Sequence, residues 1–84
     1  MMTVVNVAFT ILIKIEGRLK EFNFRKRSET LYDANTNDEY SVRFYFQLIK
    51  EEENQQWKIV GQSLPKWITD NGATISEALE KHPR

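Results

Sequence analysis

The chain has 84 residues, 12 basic and 12 acidic, for a formal net charge of zero. That length admits one small domain, taken as residues 1–84, and the cancelled charge excludes global steering toward nucleic acid or anionic lipid. With 40 % hydrophobic, 29 % charged and 12 % aromatic residues, the composition is that of a packed globular domain rather than a disordered chain.

From Val5 to Ile15 every odd position is apolar, and the pattern resumes on even positions at Phe22 and Phe24. This period of two predicts a first strand over residues 3–16 and a second over residues 19–27. A two-residue turn at Gly17-Arg18, with glycine first as a type II′ turn requires, pairs Ile13 with Phe22 and Ile11 with Phe24. Both stripes then share one sheet face, and Lys14 faces Glu21. No Lys or Arg precedes the first apolar run, and Asn6 and Thr10 interrupt it, so it reads as a strand rather than a signal peptide. No stretch reaches the ~18 continuous apolar residues of a membrane span. The absence of cysteine in so small a domain points to a reducing interior. The expectation is a cytoplasmic chain with no membrane contact.

Residues 28–39 are rich in Ser, Thr, Asn and Asp and predict a long hairpin loop, anchored at Leu31 and Tyr32. A third strand follows over residues 40–50. It places Tyr40, Val42, Phe44, Phe46 and Leu48 on one face and Ser41, Arg43, Tyr45 and Gln47 on the other. Glu51-Glu52-Glu53-Asn54 predicts a solvated loop, with an acidic docking site as the alternative. A fourth strand over residues 55–62 pairs Leu48 with Trp57 and Phe46 with Ile59. After Ser63 the period changes. Leu64-Pro65-Lys66-Trp67-Ile68 predicts a short helical turn, stopped by Asp70-Asn71-Gly72. Thr74 to Glu77 predicts a capping box. Ile75, Ala78, Leu79 and His82 follow helical spacing up to Pro83.

The expected fold is α+β: a four-stranded antiparallel sheet of two hairpins, meander-like, then a short helical turn and a C-terminal α-helix packed on one face. Only the C-terminal segment can cover the apolar face, and Trp67, Ile68, Ile75 and Leu79 are its natural cover.

Catalysis has little support. There is one histidine, His82, no cysteine, and no nucleophile–base pair in a recognisable motif. No catalytic residue, cofactor or enzymatic activity is expected. Asp33 to Glu39 has oxygen ligands at alternating positions, as in the opening of an EF-hand loop. Asp38 stands where that loop needs glycine and Phe44 where it needs glutamate, so no metal site is assigned.

The outer sheet face is the main candidate surface. It should carry Arg25, Arg27, Arg43, Tyr45 and Lys58, together with Gln47. Arginine with tyrosine on a sheet face serves single-stranded nucleic acid, the guanidinium for phosphate and the ring for a base. Long polar side chains are also the ordinary wet face of an antiparallel sheet. Val4, Ala8 and Leu12 add an apolar strip beside the first strand. If that strand is an edge, it is long and lightly charged, and a second copy or a partner strand could cover it.

Four strands followed by a helix, with Ser63, Leu64, Pro65 and Trp67 at the junction and Ile75, Ala78 and Leu79 after it, is similar to the small single-strand-binding domains of the transcriptional-coactivator and Whirly kind. The resemblance is one of topology. Balanced charge and the lack of a basic N-terminal arm depart from it. The leading functional expectation is a small non-enzymatic protein–protein interaction or assembly module, self-associating or binding a partner through the first-strand edge or outer face. Single-stranded nucleic-acid binding through Arg25, Arg27, Arg43, Tyr45 and Lys58 is the alternative. A small ligand between helix and sheet is the third.

Overall fold

The computed structural model describes residues 7–82. The chain runs β1 (Ala8–Ile15), β2 (Arg18–Ser28), β3 (Leu31–Asn37), β4 (Arg43–Lys50), β5 (Trp57–Val60), α1 (Lys66–Thr69) and α2 (Gly72–Lys81). The strands form one antiparallel meander in the order β1-β2-β3-β4-β5. Val4, Val5 and the rest of the expected first strand before Val7 lie outside the described residues, as does Pro83.

The sheet has five strands, not four. The segment expected to be a loop over residues 28–39 contains β3, at the centre of the sheet. Tyr32, Ala34 and Thr36 alternate inward and are buried, while Asp33, Asn35 and Asn37 point outward. The Thr36 hydroxyl is satisfied by donating to the Glu21 carbonyl at 2.8 Å. The added strand also departs from the four-strand arrangement that the sequence resembled. It separates Arg25 and Arg27 on β2 from Arg43 on β4, which the four-strand reading put side by side.

Both predicted hairpins have the right face and the wrong register. In the first, Phe22 pairs with Ile11 and Phe24 with Phe9, a shift of two residues. The turn is Glu16-Gly17, with φ of 50° and 84°. Positive φ at both centres is the type I′ geometry that matches strand twist, and glycine takes its second position rather than the first. Lys14 therefore faces Leu19, and Glu21 faces Leu12. In the second hairpin Leu48 pairs with Ile59 and Lys50 with Trp57. The acidic loop is closed by Glu51 N donating to Gln56 O at 2.9 Å. A shift of two preserves parity, so every side chain keeps its face. Tyr40 and Val42 fall outside β4 and are 82 % and 49 % exposed. There Asp38 Oδ1 accepts from the backbone of Tyr40 and Val42 at 2.8 and 2.9 Å, which makes that stretch a turn.

The inner face is the core. Ile13, Ile15, Phe22, Phe24, Tyr32, Ala34, Phe46 and Leu48 from the sheet meet Ile68, Ile75 and Leu79 from the helices. Each large side chain fully buried contributes about 1.5–3 kcal/mol. Trp67 is half-buried and packs edge-on against Phe22 and Phe44, with Lys20 Nζ over its ring at 4.8 Å. A Cβ on Gly61 would meet Leu64 Cδ1 at 2.9 Å and Phe46 Cβ at 3.0 Å. Glycine there lets the chain leave β5 and fold closely back under the sheet.

No capping box forms. α2 begins at Gly72 with Asn71 as N-cap, so Thr74 already lies inside the helix. Asn71 Nδ2 is instead drawn to the Trp67 carbonyl at 2.8 Å, which pins the two helices together. His82 ends α2 and stacks on Phe9 at 4.1 Å, joining the helix end to β1. No helix among the described residues is long and apolar enough to cross a membrane.

Candidate functional site: the outer sheet face and the β1 edge

With the inner face filled, β1 to β5 turn the alternate residues outward. These residues form cross-strand rows. One row runs Thr10, Asn23, Asn35, Tyr45; the next runs Ala8, Arg25, Asp33, Gln47, Val60. Small and planar side chains in the middle, with longer ones around them, leave an open trough of about 700 Å³.

Its floor is a hydrogen-bonded ladder. Thr10 Oγ1 donates to Asn23 Oδ1 at 2.7 Å, and Asn23 Nδ2 donates to Asn35 Oδ1 at 3.0 Å. Arg43 Nη1 donates to that same Asn35 oxygen. In the second row Gln47 Nε2 donates to Asp33 Oδ1 at 3.0 Å, and Arg27 Nε donates to Asp33 Oδ2 at 2.5 Å. These two bonds, the Gln47 amide first and the Arg27 guanidinium second, hold the Asp33 carboxyl below the usual carboxylate range, with burial opposing them.

A folded-state pKa below the unfolded one stabilises the fold at higher pH, and the stabilisation is lost as pH falls through the folded value. The unfolded value is about 3.9. Asp33→Asn should therefore be slightly less stable than the parent near neutral pH. The gap should narrow as pH falls below about 4, where Asp33 in the unfolded chain begins to take up its proton. Denaturant titrations of both chains across that range check it; a gap that does not change with pH would contradict the assignment.

The expected site residues all reach the outer face, but not all reach the trough. Arg25, Arg27 and Tyr45 line it. Tyr45 is 68 % exposed. Arg43 lies two residues from Tyr45 along β4 and reaches the trough through Asn35. Lys58 stands opposite Ile49, beside the trough rather than in it. Asn23, Asp33 and Asn35 were not anticipated. Their signal was the alternation around Tyr32, Ala34 and Thr36, hidden by turn-forming residue types. No group of three or more potential metal ligands occurs among the described residues.

The β1 edge is the second feature. Lys26 N donates to Val7 O at 2.9 Å. With the register Ala8↔Arg25 to Ile15↔Arg18, this makes the odd residues of β1 the ones bonded to β2. The N–H and C=O groups of Ala8, Thr10, Leu12 and Lys14 therefore point away from the sheet. They meet no strand among the described residues. Leu12 and Leu19 beside this edge are 62 % and 66 % exposed. The opposite edge is shorter: β5 has four residues, and α2 packs against both β5 and β1. Trp57 Nε1 donates to Glu80 Oε2, which also receives Lys50 Nζ at 3.7 Å. Between β5 and α2 lies a second depression of about 720 Å³, away from the residues expected to bind.

No protein-family model matches the chain, nor does any curated protein or solved structure.

Proposed function

We propose that the protein is a non-enzymatic assembly module in which β1 pairs antiparallel with β1 of a second copy. The observation that carries this reading is the edge of β1, which no strand covers among the described residues and which is eight residues long with Lys14 as its sole charge. Native sheets usually blunt such an edge with charge, proline, a bulge or a cover.

The edge is also self-complementary. In a register centred on Ile11, Leu12 of one copy opposes Thr10 of the other, and Lys14 opposes Ala8. All four residues are those with outward backbone groups, so the ladder closes without a slip. On the inner face Ile13 opposes Phe9. Phe9 and Ile11 are only half-buried in the single chain, and a neighbouring strand extends their cover. The two Lys14 side chains fall at opposite ends of the paired segment, roughly 20 Å apart at strand spacing. A net charge of zero adds no repulsion between copies.

Sedimentation across a wide concentration range tests this. The expected result is a mass that rises from one to two chains. Leu12→Lys, at a side chain that the monomer leaves 62 % exposed, should weaken pairing roughly tenfold, because a poorer cross-strand pair occurs twice. A single-chain mass at every concentration up to the millimolar range would overturn the reading.

A further inference from the structure

We infer that the outer trough is a binding site for single-stranded nucleic acid, a reading that stands apart from strand pairing at β1. The first observation is charge segregation. The chain is neutral as a whole. Yet the outward strand positions hold Lys14, Arg25, Arg27, Arg43 and Lys58 against only Glu21 and Asp33. The other carboxylates sit off the strands' outward positions: at Glu16, Glu29, Asp38 and Glu39 in the turns between strands, in the Glu51-Glu52-Glu53 loop, at Asp70, and on α2 at Glu77 and Glu80. One face is therefore cationic although the molecule is not, and it matches an anionic chain.

The second observation is what lies among the cations. Tyr45 presents most of its ring to solvent at the trough wall. Neither ring partner nor cation covers it among the described residues. A flat ring left open on a sheet is a stacking platform for any base. Around it stand Asn23, Asn35 and Gln47, whose amide groups carry the donors and acceptors that base edges read. The ladder fixes the orientation of these amides before a ligand arrives, which lowers the entropy cost of binding.

The trough contains one carboxylate, Asp33, and its charge is already met by Arg27 and by the field of Arg25. Arg25 and Lys58 form no ion pair among the described residues and remain available to phosphate. An acidic peptide would satisfy the same cations but would leave the Tyr45 ring and the amide rows unused. That difference selects the nucleic acid.

The test is a fluorescence-anisotropy titration of labelled single-stranded oligothymidine and oligouridine at low and moderate salt. Duplex DNA and polyglutamate run as comparison ligands. A Leu12→Asn chain, which weakens the β1 edge without adding charge to the outer face, is used alongside the parent, so that failure of β1 pairing does not decide the result. Binding to single strands should weaken as salt rises, because phosphate contacts release counterions. Arg25→Ala should weaken it several-fold and flatten the salt dependence. Tyr45→Ala should weaken it about tenfold or more while leaving the salt dependence unchanged. All three side chains are exposed, so these variants retain the fold. No binding at about 100 μM protein, the weak end of non-specific affinity, would overturn the inference. Equal binding of polyglutamate, or indifference to Tyr45→Ala, would also overturn it, leaving a generic cationic face.

Discussion

Tyr32→Ala is expected to cost about 3–5 kcal/mol, the range for removing a large buried aromatic side chain. Tyr32 is fully buried near the start of β3, the central strand, with Trp57 edge-on at 5.5 Å and Phe9 at 6.1 Å. Its loss opens a cavity that β1, β3 and β5 all line. Native domains hold only about 0.05–0.15 kcal/mol per residue, so in a chain of 84 residues this cost removes much of the total stability. Urea unfolding followed by circular dichroism measures it. A cost under about 1 kcal/mol is what a surface loop would give, and would contradict the central placement of β3.

Ile75→Asp should be more damaging still. Ile75 is fully buried, and with Leu79 it forms the stripe of α2 that closes the inner face. A carboxylate there has no partner, and burying an unpaired charge belongs to the mechanisms that cost more than about 4 kcal/mol. The expected result is loss of the cooperative transition, with the Phe22, Phe24 and Phe46 surface open to a hydrophobic dye. Ile75→Val, by contrast, should cost only about 0.5–1.5 kcal/mol, which separates charge burial from a trimmed side chain. A normal transition in Ile75→Asp would mean that α2 does not seal the core.

The two variants bracket what the sequence disclosed. Strands with strongly apolar faces were legible. β1, β2, β4 and β5 follow from alternation alone, and the covering role of Ile68, Ile75 and Leu79 follows from there being no other segment to do it. β3 was not legible by the same signal. Its inward residues after Tyr32 are Ala34 and Thr36, weakly hydrophobic, and its outward residues Asp33, Asn35 and Asn37 favour turns. A structureless stretch of about 12 residues in so small a domain was itself a warning. Register failed for a different reason. Period two fixes which face a residue takes, but a shift of two residues leaves that unchanged. Only the turn decides the shift, and Glu16 at positive φ is not a residue that announces a type I′ turn.

The candidate site divides the same way. Arg25, Arg27, Arg43, Tyr45 and Lys58 were assignable to one face because each lies in a strand with clear parity. The trough floor was not, because half of it belongs to β3. Sequence could name the cations and the ring. It could not show that Asp33 is occupied by Arg27 and Gln47, or that Arg43 reaches Asn35. Nor could it show that the free backbone groups of β1 belong to the residues whose side chains face outward.

Residue-resolved amide hydrogen exchange along β1, at low and high protein concentration, tests the proposed assembly most directly. Phe9, Ile11, Ile13 and Ile15 should be protected at both concentrations, because their amides are bonded to β2. Thr10, Leu12 and Lys14 should exchange freely in dilute solution and become protected as concentration rises, when a second β1 takes up their amides. If these three exchange freely at every concentration, β1 does not pair with another copy and the proposed assembly is wrong.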